Sequence, residues 1–363
     1  MTTGNVCDFE VRRDDLRETR FTTGAAPTEL SAGEAWLRIE KFGLTANNVT
    51  YGAVGEMVGY WNFFPAEAGF GRIPVWGIGV VERSRQPDLP EGERLYGYLP
   101  MSTHLRIRPE HVSRTGVVDG SAHRSALPPV YNQYARLAGE PGYDPAQDDR
   151  RIVLQPLLAT SFLIDDFLAE AGFFGAKALV IASASSKTGF CLAYFLARRK
   201  GIEVIGLTSP GNRAFALGLG CYDRVVPYAD VEKLPADVPI VYVDMAGNGD
   251  VTRRVHEHYR DGVKQSCLVG LTHWEKGGSL EGLPGAKPAF FFAPTQIEKR
   301  RKDWGADGFQ ARIAAARSDV LRDTESWIRI VHGRGPAALE TAYRDALEGR
   351  LRPDEGHVLT LLD

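Results

Sequence analysis

Between Ala178 and Ala197 the chain gathers side chains suited to holding a phosphate. The turn Ser183-Ala-Ser-Ser-Lys-Thr188 offers hydroxyls and an ammonium, and Gly189 opens an apolar stretch that ends near Arg198, Arg199 and Lys200. The neighbours fix what this turn can do. Ala178-Leu-Val-Ile-Ala182 reads as a buried strand, Gly189 onward as a helix, and Glu203-Val-Ile-Gly-Leu-Thr208 as a second strand. Strand–turn–helix–strand sets a nucleotide phosphate at a helix N-terminus, where N–H groups and the helix dipole attract an anion. The usual dinucleotide fingerprint has three glycines, and only the last, Gly189, is present. Ser186-Lys-Thr188 is also similar to the end of a P-loop, and Ile240-Val-Tyr-Val-Asp244 to its magnesium-holding strand. Both glycines of that loop are replaced, by Ile181 and Ser186, so this reading is set aside; magnesium-dependent ATP hydrolysis would reinstate it.

The elements that position this turn suggest two domains, since 363 residues exceed one domain of ~100–200 residues. A hydrophobic content of 44% is enough for a sizeable core. A net charge of −3 argues against nucleic acid as a main partner. Cys7, Cys191, Cys221 and Cys267 are scattered with no C-x-x-C pair, as expected of reduced thiols in a cytoplasmic protein. The N-terminus lacks the basic end and apolar core of a signal peptide, and no apolar run approaches ~20 residues, so no membrane span is expected.

Residues 1–130 read as mostly β. Ala35-Trp-Leu-Arg-Ile-Glu-Lys-Phe42 alternates apolar and polar residues, and short strands follow at 78–84, 94–99 and 104–108, separated by Gly and Pro; a small barrel is expected. Gly139 to Arg151, polar and with Pro141 and Pro145, reads as a linker or exposed loop. From Leu154 the pattern changes. Helical spacing covers Leu157 to Ala171; strands at 178–182, 203–208, 224–227, 240–244 and 266–271 then alternate with helices at 189–200, 212–219 and 250–260. That order predicts an α/β fold with a doubly wound parallel sheet. Beyond 285, Phe290-Phe-Phe-Ala-Pro294 is a short strand or loop, helices are expected at 307–331 and 336–348, and Gly356 to Leu362 as a last strand.

Several ordered segments carry a resemblance. They are Ala35 to Tyr51, Glu93-Arg-Leu-Tyr-Gly97, Ala178 to Tyr228 with Leu217-Gly-Leu-Gly-Cys-Tyr-Asp-Arg-Val-Val226, Ala338 to Arg350, and Gly356 to Leu362. The series resembles the medium-chain dehydrogenase/reductase superfamily, particularly its zinc-free, quinone-oxidoreductase-like branch. Thr45-Ala-Asn-Asn-Val-Thr-Tyr51 with Tyr60-Trp-Asn-Phe-Phe-Pro65 looks like an uncharacterised subgroup of that branch. The resemblance implies a Rossmann dinucleotide-binding domain at 151–285 inserted into a GroES-like β-barrel catalytic domain made of 1–150 and 286–363. It also implies a small-molecule substrate and, because relatives often pair through the edge strand of the nucleotide domain, a possible homodimer.

In that superfamily the first turn is G/A-x-x-G-x-x-G, matched here by Ser183, Ser186 and Gly189. Ser186 and Lys187 bring side chains where a bare backbone would meet the pyrophosphate. They either contact the phosphates, with Lys187 as a point charge and Ser185 or Thr188 as hydroxyl donors, or crowd the cofactor out. NAD sites carry an acid at the end of the second strand. Here that end is Leu207-Thr208-Ser209, followed by Pro210-Gly-Asn-Arg213: hydroxyls and an arginine, which suit a 2′-phosphate, so NADP(H) is expected. Arg213 reads alternatively as a plain surface charge. Glu203 has the textual spacing of the acid but stands at the wrong end of its strand. Tyr228 matches a family position near the adenosine phosphate, or simply packs on its strand. Gly270 would let the nicotinamide ring approach, and His273 is a substrate contact or an ordinary loop histidine.

The turn Gly43 to Tyr51 contains no Cys or His, and the scattered cysteines supply no local zinc lobe, so no metal is expected. Hydride transfer without a Lewis acid suits an activated C=C or a quinone. Tyr51 is the expected proton or oxyanion donor, with Asn48 and Asn47 orienting it; alternatively Thr45–Tyr51 is a capped turn whose asparagines satisfy backbone groups. Tyr60-Trp-Asn-Phe-Phe-Pro65, with Trp76 and Phe290–Phe292, lines an apolar or planar substrate pocket or is core. Lys299 to Lys302 reads as a solvated helix face more readily than as a site for an anionic group. Two other readings remain open: a non-catalytic NADPH-binding sensor or scaffold, and a non-redox lyase on the same fold.

Overall fold

Alternating sequence drives the first part of the chain into antiparallel pairs. The structure, a computed structural model, describes residues 5–270 and 280–362. β1 (Asn5–Arg12) pairs with β2 (Thr19–Ala25) and with β4 (Phe70–Gly71). β3 (Ala35–Leu44), β5 (Pro74–Ser84) and β6 (Arg94–Pro100) form the centre of a second sheet. β7 (His104–Ile107) adds to β3, and β10 (Gln133–Arg136), β9 (Gly116–Asp119) and β8 (Pro109–Glu110) extend the sheet beyond β6. Register shifts between Trp36 and Leu37 and between Ile39 and Lys41 let β3 bend against β5. After β3 the chain turns into α1 (Ala46–Ala53) and the single turn α2 (Gly55–Val58).

The long helix α3 (Asp148–Glu170) leads into a parallel sheet. By length and composition α3 could cross a membrane, contrary to the expectation from the sequence. Over half of its apolar window is buried inside the protein, as in the core helix of a folded domain. β11 (Ala178–Ala182), β12 (Glu203–Thr208), β13 (Arg224–Pro227), β14 (Ile240–Asp244), β15 (Val263–Leu268) and β16 (Ala289–Phe290) lie in the order β13-β12-β11-β14-β15-β16, all parallel. This is the doubly wound order, with its switch point between β11 and β14. β11 and β14 are buried at every residue, which is why they read as unbroken apolar runs. The intervening helices are α4 (Lys187–Leu196), α5 (Arg213–Gly218) and α6 (Gly249–Tyr259).

The C-terminal part departs from expectation. Helix α7 runs over Ala293–Asp323, broken at Gly305, where φ is 73°. It stops before 331, and Arg329–Arg334 is a strand, β17, paired with β18 (Glu355–Thr360) and continuing the sheet of β3. α8 spans Gly335–Leu347. The chain divides into one unit of residues 1–153, 330–351 and 355–363, and a second of 154–329 and 352–354. The return to the first unit thus falls at 330 rather than 286. The reason is packing: Trp304, Phe309 and Ile313 of α7 close on Phe162 and Leu163 of α3, and Arg300 is paired with Asp166 at 2.5 Å.

Candidate active site

In the second unit the turn after β11 folds so that its serines bind the chain itself. Ser183 adopts φ +60°, a left-handed conformation that favours glycine. The Tyr228 hydroxyl lies 3.1 Å from both its N–H and its Oγ. Burial pushes the Tyr228 phenol upward, so it is a proton-bearing group at neutral pH. Ser186 is the N-cap of α4, its Oγ accepting from the Gly189 N–H at 3.1 Å. Gly189 is required sterically, because a Cβ there would stand 2.7 Å from the Ser183 carbonyl oxygen.

Ser185 is buried and accepts two hydrogen bonds at its Oγ, from Thr208 Oγ1 and Asn212 Nδ2, each at 3.1 Å. With both lone pairs engaged, its O–H is the donor left over. Thr208 ends β12 and Ser209 follows, so these groups gather at the carboxyl end of the strand with no carboxylate among them. Glu203 begins β12 and is paired with Arg224 at 2.6 Å, away from that end. Arg213 is exposed and hooks its Nε onto the Val225 carbonyl at 3.2 Å. Thr188 lies in the first turn of α4, its carbonyl receiving the Ser161 hydroxyl at 2.8 Å. Lys187 Nζ reaches the Pro353 carbonyl at 3.4 Å. Gly270 is buried just past β15, and His273 lies outside the described residues.

In the first unit Tyr51 sits on α1 inside a ring of aromatics. Its ring centroid is 4.8 Å from that of Tyr60 and 5.6 Å from that of Tyr98. Tyr60 and Tyr131 share a hydroxyl–hydroxyl bond of 3.0 Å, and Tyr131 packs on Tyr98 at 4.6 Å. Trp76 donates its indole N–H to the Tyr51 oxygen at 3.4 Å. Asn47, one turn earlier on α1, lies beside the phenol. Burial, then the neighbouring Tyr60, raises the Tyr51 phenol well above its ordinary value, and it stays protonated.

Asn48 does not orient Tyr51. Its Oδ1 accepts from the Thr45 N–H at 2.8 Å and its Nδ2 donates to the Pro74 carbonyl at 2.8 Å, so it caps α1 and ties the helix to β5. Tyr60, Trp61, Phe63 and Phe64 are buried and form core beside Tyr51. Lys299 and Lys302 are salt-bridged on the face of α7, whereas Arg300 is buried among Asp166, Glu170 and Asp303. Sequence reasoning missed Asn212, Tyr98 and Tyr131. The alternation Leu95-Tyr-Gly-Tyr-Leu99 already places Tyr96 and Tyr98 on one face of a strand, a usable signal; nothing comparable marks Asn212. Among the described residues no group of three or more His, Cys, Asp or Glu side chains is placed to hold a metal ion.

A family profile described as "Protein of unknown function (DUF2855)" matches residues 42–352. The chain belongs to this family. No curated protein matches it. Among solved structures, this DUF2855 member is similar to CurA from Vibrio vulnificus, at 16% identity over 99% of each chain with a TM-score of 0.63. CurA in complex with NADPH gives 16% identity over 98% of this chain and 99% of that one, with a TM-score of 0.62. YhdH of E. coli K-12 with bound NADPH gives 13% identity over 98% and 100%, with a TM-score of 0.56. At these identities the likeness establishes a fold shared with CurA and YhdH.

Proposed function

We propose that the protein is a zinc-independent, NADP(H)-dependent oxidoreductase that reduces an activated C=C or a quinone. The second unit is read as its Rossmann dinucleotide-binding domain and the first as its GroES-like catalytic domain. One observation carries the reading: Ser185, Thr208 and Asn212 form a neutral donor cluster at the end of β12, where an NAD site sets a carboxylate. The donor set fits the cofactor. Of the turn's serine side chains, Ser183 folds onto Tyr228 and Ser185 onto Asn212, while Ser186 caps the helix N-terminus through the Gly189 N–H and keeps its O–H as a donor. Support also comes from two proteins of the same fold, CurA and YhdH, which were crystallised with NADPH.

Bound there, the dinucleotide would supply a hydride. The Ser186 and Thr188 hydroxyls and the first N–H groups of α4 hold the diphosphate, with Lys187 adding positive charge. Ser185, Ser209 and Arg213 hold the 2′-phosphate, Thr208 orients the Ser185 hydroxyl toward it, Tyr228 fixes the turn, and Gly270 leaves room for the ring. Tyr51 supplies the proton to the enolate carbon or donates a hydrogen bond to its oxygen. Trp76 takes up the phenol's acceptor side and Asn47 stands beside it to orient it, which leaves its O–H as donor. The aromatic ring around Tyr51 suits an apolar or planar substrate.

The test is titration of the full chain with NADPH and NADH by nicotinamide fluorescence, followed by NADPH oxidation with a panel of enones and quinones. Tighter NADPH binding and turnover of one class are expected. Preference for NADH, or no binding, refutes the cofactor assignment. Binding without turnover favours a sensor, and turnover without NADPH consumption a lyase.

A further inference from the structure

We infer that the first unit carries a second small-molecule site, separate from Tyr51, for an aromatic carboxylate. The site is a cavity of about 560 Å³ whose lining includes Arg72, Arg106 and Arg124. Ligand pockets fall at roughly 300–1,000 Å³, so a small organic molecule fits.

Charge selects an anion. Three guanidiniums line the cavity against one carboxylate, Asp8, which Arg72 already pairs at 3.2 Å. The acids that partner the other two, Glu34 at 3.9 Å from Arg106 and Asp119 at 3.2 Å from Arg124, are not part of the lining. Arg124 is 1% exposed, and its Nε, like that of Arg72, is buried without a hydrogen-bond partner. Those Nε atoms are closed off, so the groups that meet an added acceptor are the exposed parts of Arg72 and Arg106, whose side chains are 23% and 56% exposed, with the Arg124 charge behind them.

The walls select a ring. Trp36 and His104 lie stacked, with centroids 5.2 Å apart and an interplanar angle of 11°. Burial lowers the His104 basicity, so that wall is an uncharged aromatic surface at neutral pH. Phe63 and Phe64, almost wholly buried, back the same space, and Arg124 lies over the Phe64 ring at 4.7 Å. Phe63 also meets Tyr98 and Tyr131 edge-on at 5.4 Å each, so this cavity and the aromatic ring around Tyr51 share one side chain. A flat apolar body with a single carboxylate answers both sets of groups. Binding here is independent of whether a dinucleotide binds the other unit.

Calorimetric titration of the full chain at neutral pH with benzoate, benzamide and inorganic phosphate tests this. Benzoate is expected to bind about tenfold or more tightly than either of the others, because only it offers both the ring and the charge. The Arg106 side chain is 56% exposed, so its replacement leaves the fold intact. Arg106→Ala should weaken benzoate about tenfold, and Arg106→Glu should abolish its binding. Equal binding of benzoate and benzamide, no heat with benzoate, or benzoate affinity untouched by Arg106→Glu overturns the site. Phosphate binding as tight as benzoate overturns its aromatic character.

Discussion

Replacing Ser186 separates the two jobs assigned to it. Its Oγ accepts from the Gly189 N–H at 3.1 Å, which makes it the N-cap of α4. Exchange of such a cap for alanine costs about 1 kcal/mol, and for glycine only a few tenths. The O–H is the second job. A hydrogen bond to a charged oxygen is worth about 1.5–3 kcal/mol, so Ser186→Ala should raise the NADPH Kd by roughly tenfold to a hundredfold. Ser186→Gly isolates the cap. It removes the same hydroxyl and frees the same Gly189 N–H as alanine does, so its Kd should rise to within about threefold of the alanine variant's, and the two should differ in stability alone. Urea unfolding of both variants gives the stability change from the midpoint at constant slope, and fluorescence titration gives Kd. An alanine variant that unfolds earlier yet binds NADPH as the parent does would show that Ser186 is a cap and nothing more. A glycine variant as unstable as the alanine one would refute the capping account.

Tyr51→Phe should leave NADPH affinity unchanged and lower turnover about 10²–10⁴-fold, the usual contribution of a positioned acid. Because the Tyr51 phenol is held above its ordinary value of about 10, turnover should show no falling limb from this group across neutral pH; a limb near pH 7–8 that vanishes in Tyr51→Phe would contradict this. Arg213→Ala should weaken NADPH about tenfold and leave NADH unaffected in paired titrations, while stability moves by about 0.5–1 kcal/mol for the lost bond to the Val225 carbonyl. In the first unit, burial pushes the Asp149 carboxyl up, but hydrogen bonds from Lys41 and His332, each 2.7 Å, outweigh it and hold it below the usual range. A depressed folded value stabilises above the unfolded value of about 4 and is lost as pH falls through the folded one. Lys41→Met should therefore cost up to about 1 kcal/mol at pH 7 and nothing near pH 2, as measured by urea unfolding at both.

The parallel sheet was legible because strands buried on both faces must be written in continuous apolar residues, as Ala178–Ala182 and Ile240–Asp244 are. The strands of the first unit were legible by alternation. Arg329–Arg334 was not, since none of its residues is buried and a half-exposed strand loses its period-two signal. The place where the chain returns to the first unit was hidden for another reason: whether α7 belongs to one unit or the other depends on what Trp304 and Phe309 pack against, a tertiary fact. At the candidate site the hydroxyl-rich turn was visible as a list of donors. The roles were not. An asparagine at 48 can orient a phenol or cap a helix, and the choice was made by the Pro74 carbonyl that β5 brings to its amide.

The missing glycines are better explained as compensated than as decayed. A left-handed residue other than glycine costs about 1–2 kcal/mol, and Ser183 has two contacts to the Tyr228 hydroxyl, each worth about 0.5–1.5 kcal/mol, to offset it. At the middle position the added side chain turns back onto the Gly189 N–H. The third glycine is kept because the Ser183 carbonyl would lie 2.7 Å from its Cβ, a constraint of the fold that no ligand imposes. The two positions that were free to change therefore hold hydroxyls bonded to their own chain, Ser183 to Tyr228 and Ser186, as N-cap, to the first turn of α4. With Ser186 as cap, the donors left for a diphosphate at this terminus would be the Lys187 and Thr188 N–H groups and the serine's own O–H.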